Sequence, residues 1–305
     1  MTQSPDGAPT AADRWREDLS SWAIPEEILQ AAPESPWHFP VELFVSRAEA
    51  STAPATFSAR TAMVALPEGG TVLDVGCGAG GASLPLAPRA GGLTGVDSSE
   101  EMLAAFRRQA ERVGIHAETV FGRWPDVAGD TPPGDVVVCH HVFYNAPDLP
   151  AFAASLTEHA RTRVVIELTA EHPQSRLNPL WVRFHGIERP TTPTAMDAVV
   201  VLRGAGLDVK WQQWTAPRPG GFRRRDDIVA WVRRSLCLTP ERDPEVADAI
   251  DHWIQERDGL YGFPDRPVLT LWWEGSARSR VRPTAGRGGP PSRGRPASAP
   301  RCGGG

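Results

Sequence analysis

Thr71-Val-Leu-Asp-Val-Gly-Cys-Gly-Ala-Gly-Gly81 decides how this chain is read. Residues 71–75 are a short apolar run rich in β-branched side chains, which predicts a buried strand. Glycines then fall at alternate positions, Gly76, Gly78 and Gly80. A plain turn needs one glycine. A series placed directly after a buried strand predicts a cradle, because glycine adopts backbone angles closed to other residues. Without Cβ atoms the loop also approaches a ligand closely and offers its N–H groups. A helix near 81–86 is expected to follow. The next apolar run ends at Asp97 in Leu93-Thr-Gly-Val-Asp-Ser-Ser99. A carboxylate at the end of the second strand of such a unit is the usual partner of ribose hydroxyls. Asp97 also suits the N-cap of a helix over 99–113. Beside the glycine loop, ribose contact is the preferred role.

Outward from this unit the pattern continues. Strands are predicted at 71–75, 93–96, 118–121, 135–139 and 163–168, with helices near 81–86, 99–113 and 149–160. Continuous apolar strands separated by helices imply an α/β, doubly wound parallel sheet covered on both faces. Strands at 207–214 and 267–273 follow, with helices at 226–236 and 244–256 between them. The domain reading is a disordered lead-in over 1–12 and an N-terminal helical lid over 13–64. A main domain over 65–275 carries a helical insert at 218–265. Residues 276–305 form a tail that holds seven arginines and no acid, and its low complexity predicts disorder.

The 76–81 segment also fits the dinucleotide pattern G-x-G-x-x-G. Asp74 argues against a dinucleotide, because a carboxylate there repels a pyrophosphate and favours a cationic group. With Val96-Asp97, Asp74-Val-Gly-Cys-Gly-Ala-Gly80 resembles the class I S-adenosylmethionine-dependent methyltransferases, in particular the broad small-molecule group. The likeness covers 71–168 well and 207–273 by pattern. It implies a mostly parallel seven-stranded sheet whose last strand is antiparallel. It implies S-adenosylmethionine as cofactor, with Asp74 and the 76–80 loop, Cys77 included, on the methionine part. Asp97, with Ser98 beside it, would meet the ribose, and Met102 the adenine. After the third strand the family often has Gly-Asp, the Asp meeting the adenine amino group. Here Gly122-Arg-Trp124 puts Arg123 in that place. Trp124 either covers the adenine or fills the sheet edge.

Reactive groups of a doubly wound sheet gather beyond the carboxyl ends of its strands. The fourth strand runs into Cys139-His-His-Val-Phe-Tyr-Asn145. In the resembling family this loop lines the gap between sulfonium and acceptor, which makes Cys139 a cofactor contact and His140, His141 and Tyr144 the catalytic candidates. Methyl transfer needs alignment first, and a base only for a hydroxyl or a protonated amine. A histidine, with an ordinary pKa near ~6.5, suits that role. Glu167, His172, His38, Trp37, Trp181 and His185 are weaker candidates for the acceptor side, and ordinary packing is the preferred account of them. Trp211, Trp214, Trp272 and Trp273 stand at strand positions and are expected in the core.

Composition bounds the rest. The net charge of −5 hides an acidic body: without the seven tail arginines, residues 1–275 carry −12. That argues against a nucleic-acid groove, which needs a basic face. Cys77, Cys139, Cys237 and Cys302 form no C-x-x-C pair and no zinc spacing, so free thiols and no metal are expected. No apolar run approaches a membrane span, and Met1 to Asp13 lack a signal-peptide pattern, so a cytoplasmic protein is expected. The expected activity is methylation of a small, partly apolar acceptor with possible histidine-assisted deprotonation. The alternatives are a silent S-adenosylmethionine-binding module and a nicotinamide-dependent oxidoreductase.

Overall fold

The computed structural model describes residues 8–37, 41–50, 56–216 and 221–276. The first seven residues of the expected lead-in, the tail from 277 onward and His38 lie outside the described residues. The strands are β1 (Gly70–Val75), β2 (Ala90–Asp97), β3 (Ala117–Phe121), β4 (Gly134–His140), β5 (Ala160–Thr169), β6 (Lys210–Ala216), β7 (Gln255–Arg257), β8 (Leu260–Gly262) and β9 (Arg266–Glu274). The helices are α1 (Ala11–Ser20), α2 (Glu26–Ala31), α3 (Val41–Ala50), α4 (Phe57–Ala65), α5 (Glu100–Arg112), α6 (Leu149–His159), α7 (Asn178–His185), α8 (Ala195–Gly204), α9 (Arg225–Ser235) and α10 (Asp243–Ile250).

Seven strands form one sheet in the order β3-β2-β1-β4-β5-β9-β6. The first five neighbours are parallel, and β9 runs antiparallel between β5 and β6. This is the expected doubly wound sheet with its last strand antiparallel. Its central strands are buried on both faces, which is why β4 reads Val-Val-Val-Cys over 136–139. One face packs Trp15 of α1, Phe152 and Leu156 of α6 and Leu202 of α8. The other packs α3, α4 and α5 around Leu66, Leu86 and Phe106.

A third apolar cluster stands apart from these two. It joins Ile24 near α2, Trp181 of α7, Val232 of α9, Ile250 of α10 and Phe263 after β8. The buried guanidinium of Arg233 ties it together, meeting Glu34 at 2.8 Å and Asp243 at 3.1 Å. Arg233 holds the Glu34 carboxyl below its ordinary range. Both carboxylates stay partly exposed, so solvent screens the two pairs, and their main effect is to leave the buried cation with partners. The cap is therefore one unit assembled from three separate stretches of chain.

Several expected boundaries differ. The lead-in stops short of residue 12, because Thr10 and Asp13 form a capping box that starts α1 at Ala11. The N-terminal segment is not a single lid. Trp15 is buried in the main core and donates its indole N–H to the Ala146 carbonyl (2.9 Å), so α1 is a layer of the domain. The helix expected near 81–86 is absent: the segment is turns and a 3-10 turn at Leu84–Leu86. Pro85 and Pro88 withdraw two N–H donors from so short a stretch. Between β5 and β6 the chain adds α7 and α8, the latter started by a Thr194–Asp197 capping box. The helix expected to 256 stops at Ile250, followed by a 3-10 turn at Asp251–Trp253. Asp258 and Gly259, both at positive φ, then turn the β7–β8 hairpin.

Candidate active site

The glycine loop has the conformation its composition predicts, with φ of 71° at Gly76, 50° at Gly78 and 93° at Gly80. A Cβ on Gly76 would stand 2.4 Å from Cγ2 of Val142, and one on Gly80 2.8 Å from Leu84 Cδ1. The loop is thus pressed against the segment that follows β4. The N–H groups of Gly76 and Cys77 donate to the Val96 carbonyl. Asp97 accepts the N–H of Gly78 on one carboxylate oxygen and that of Ser99 on the other, both at 2.9 Å. Asp97 is therefore not the cap of α5. That cap is Ser99, whose hydroxyl accepts the Met102 N–H. A carboxylate has about four lone-pair sites, so Asp97 keeps acceptor capacity facing the cleft.

Asp74 is buried. Its Oδ2 accepts the Ser83 hydroxyl at 2.6 Å, and its Oδ1 is sealed without a partner. Burial pushes the Asp74 carboxyl up to about 7, with the Asp97 charge adding to the rise and the Ser83 bond opposing it. Cys77 and Cys139 are buried thiols pushed well above their ordinary range by desolvation, so neither is a nucleophile. Met102 is buried yet belongs to none of the three apolar clusters. Ser98 and Arg123 are exposed beside Asp97, whose carbonyl accepts the Gly122 N–H at 3.0 Å. Trp124 takes the packing alternative: its ring lies edge-on against His159 of α6, in the core of the α1–α6 face. Helix α3 lies over the loop, with Phe44 Cδ1 3.5 Å from a Cβ built on Gly78. Glu49 of α3 meets Arg112 of α5 at 2.9 Å.

Beyond β4 the three catalytic candidates separate. His141 has φ +61°, an unusual conformation for a non-glycine residue. It turns the ring back to Glu167, bringing Nε2 to 3.2 Å from Oε1. The His141 N–H also donates to the Glu167 carbonyl at 2.7 Å. The His141 ring is 44% exposed, whereas Glu167 is buried. Burial alone would raise the Glu167 carboxyl, but His141, His140 and the Ser58 hydroxyl outweigh it and hold the group at about 2. His140 pairs in register with Glu167 across the β4–β5 ladder, and its Nε2 is buried without a partner. Desolvation lowers it to about 4, so it is neutral at pH 7. Tyr144 turns away to the other face of the sheet. Its phenol donates to the Thr169 carbonyl at 2.8 Å, its ring stacks with Trp15, and burial pushes its hydroxyl up. Tyr144 is a packing residue.

The weaker candidates are mostly structural. His172 stacks on Trp22 with centroids 3.7 Å apart, and burial lowers it to about 3. Trp181 and His185 pack together in the cap, His185 bonding the Leu236 carbonyl. Trp37 is exposed. Sequence reasoning missed Ser58 and Thr270. Ser58 Oγ stands 2.6 Å from both Glu167 Oε2 and Thr270 Oγ1, and Trp214 Nε1 donates to Thr270 Oγ1 at 2.9 Å. Glu167 carried a usable signal, the one acid of its strand, set in the apolar run after Arg163; Ser58 and Thr270 carried none.

Residues 72–163, which hold the glycine loop, Asp97 and both histidines, match the family model described as a methyltransferase domain. A protein from Haemophilus influenzae, itself uncharacterized, is 32% identical over 205 residues, spanning 66% of this chain and 75% of that protein. The chain belongs to the class I S-adenosylmethionine-dependent methyltransferases. A ubiquinone biosynthesis O-methyltransferase from Paramagnetospirillum magneticum is 34% identical over 90 residues, 30% of this chain and 36% of that one. The magnesium protoporphyrin IX methyltransferase of Synechocystis, solved with SAH bound, is 17% identical with a TM-score of 0.43, covering 87% of this chain and 94% of that one. The cofactor of this methyltransferase is S-adenosylmethionine. The residues present fit that molecule. The orphaned Asp74 Oδ1 suits a cationic amino group, and Asp97 keeps acceptor capacity for ribose hydroxyls. Among the described residues no helix is long and apolar enough to cross a membrane.

Proposed function

We propose that this methyltransferase acts on a small, partly apolar molecule carrying an ionisable hydroxyl or amine, with His141 as general base. The observation that carries the reading is the His141–Glu167 pair at the end of β4. It stands one residue before Val142, which lies against Gly76 of the cofactor loop. S-adenosylmethionine, when bound, supplies a methyl group activated by a positively charged sulfur. Asp74 and Gly76, Cys77, Gly78 and Gly80 would hold its methionine part, Asp97 and Ser98 its ribose, and Met102 its adenine, with Arg123 beside the ribose. Cys139 is fully buried in the core on the α1–α6 side of the sheet and makes no contact with the cofactor.

His141 takes the proton that the acceptor releases as its oxygen or nitrogen gains the methyl group. The anionic Glu167 stabilises the resulting imidazolium and aims the ring. Neutral His140 lends its free Nε2 to position the acceptor. Helix α3, through Phe44 over Gly78, limits water at the cofactor loop. A small-molecule acceptor suits the acidic body and the aromatic cap, and the O-methyltransferase among the relatives supports an oxygen acceptor. Unpaired buried thiols at Cys77, Cys139 and Cys237 support a cytoplasmic setting. The test is transfer of labelled methyl from S-adenosylmethionine to a panel of phenols, enols and amines, in wild type and His141→Gln. Loss of transfer with cofactor binding kept supports the reading. Equal turnover in the variant overturns it.

A further inference from the structure

Trp214, Thr270 and Ser58 form a line of hydrogen bonds that ends on the carboxylate of Glu167. They come from β6, β9 and α4, and the line crosses the antiparallel end of the sheet. Glu167 and Thr270 sit side by side in the β5–β9 register. Ser58 and Thr270 are both fully buried, so no bulk water completes their bonding.

Counting protons fixes the direction of the line. An indole N–H only donates, so Thr270 Oγ1 accepts from Trp214. Each hydroxyl has one proton. With Glu167 ionised, Ser58 donates to Oε2, and Thr270 must then donate to Ser58. Every proton has an acceptor. With Glu167 protonated and donating to Ser58, the line reverses and the Thr270 proton faces the Trp214 N–H with nothing to accept it. A buried donor left without an acceptor loses its hydrogen bond to water and gains none in return. The line therefore excludes a proton on Oε2, and the two histidines on the Oε1 side favour the anion over a proton there. An anionic Glu167 in turn requires a donor at 3.2 Å from its Oε1, and that donor is His141 Nε2–H.

We infer that Trp214, Thr270 and Ser58 are positioning residues: a one-way donor line that holds Glu167 ionised and His141 as its Nε2–H tautomer. Nδ1 is then the nitrogen that accepts the proton from the acceptor. The inference deepens the proposed role of His141 and rests on it for its catalytic consequence, though the tautomer itself does not. Ser58→Ala removes the last donor of the line. Thr270→Val, nearly isosteric, removes the middle one, and Thr270→Ser restores it. Trp214→Phe removes the most distant.

The experiment is ¹⁵N NMR of histidine-labelled full-length protein, with the His141 ring signals identified by their loss in His141→Gln, alongside kcat and KM for whichever acceptor the panel yields. In the wild type the neutral ring shows a protonated Nε2 and a bare Nδ1. Ser58→Ala mixes the tautomers and lowers kcat about tenfold, while KM and cofactor affinity stay level. Thr270→Val lowers kcat about threefold, Trp214→Phe less than twofold, and Thr270→Ser returns it to the wild-type value. A wild-type Nδ1–H tautomer overturns the inference. So do unchanged ring signals in both Ser58→Ala and Thr270→Val. If Ser58→Ala does not fold, the Thr270→Val and Thr270→Ser pair decides alone. If His141→Gln keeps full turnover while the wild-type ring is Nε2–H, the line is real and the base reading is what falls.

Discussion

The two halves of the sheet's carboxyl edge are built on opposite plans. In the half proposed for the cofactor, Asp74, the three glycines, Asp97 and Met102 lie within thirty residues of one another, on β1, β2, α5 and the loop that leaves β1. In the acceptor half, Ser58, His141, Glu167, Trp214 and Thr270 come from α4, β4, β5, β6 and β9. On the proposed reading, the cofactor is held by a local unit, and the base is aimed by side chains that meet only where the antiparallel end of the sheet closes. The first half meets distant chain chiefly through Val142 and Phe44. The second is exposed to any shift of α4 or β9.

The sharpest way to separate the halves is His141→Gln. It should lower kcat by about 10²–10⁴ and leave the S-adenosylmethionine Kd unchanged by calorimetry, because the ring stands on the acceptor side. Asp97→Ala should do the reverse. It strips two backbone N–H groups of their acceptor and weakens cofactor binding by about 10–100-fold. A variant of Asp97 that binds normally would break the assignment of the ribose to that half.

A smaller effect tests the buried Asp74. Its carboxyl sits at about 7 in the folded protein against about 3.9 in an unfolded chain. Folded protein thus holds the proton more tightly than unfolded chain. The stability this lends is full below the unfolded value and is lost as pH rises through about 7. A bound ammonium group favours the anion instead, so cofactor binding releases a proton. Affinity should rise about fivefold between pH 6 and 7, and the calorimetric heat should change with the ionisation enthalpy of the buffer. Asp74→Asn should flatten both. The smallest effect is expected of Tyr144→Phe, which removes only the bond to the Thr169 carbonyl. Stability should fall by about 1 kcal/mol in thermal unfolding, with kcat within twofold of wild type.

Legibility followed the same division. The positive φ values of Gly76, Gly78 and Gly80 were readable because such a loop imposes its rule on residues close together in the chain. His140 and His141 were readable as a pair but not apart, since adjacent side chains diverge and the positive φ of His141 is not written in its identity. Tyr144 was misjudged because its ring is claimed by Trp15, over a hundred residues earlier. Trp124 had two equal roles, and contact with His159 settled it. The helix after the glycine loop was expected from the usual strand–loop–helix unit, and Pro85 and Pro88 prevented it.

By itself, the sequence determined the class of fold and its cofactor, because strand periodicity and glycine placement act over a few residues where chain connectivity supplies the geometry. Only the tertiary structure decided which histidine meets a carboxylate, and that α1 belongs to the core and α2 to a cap shared with α9 and α10. Those outcomes depend on packing and proton counting between residues far apart in the chain, for which no local pattern exists.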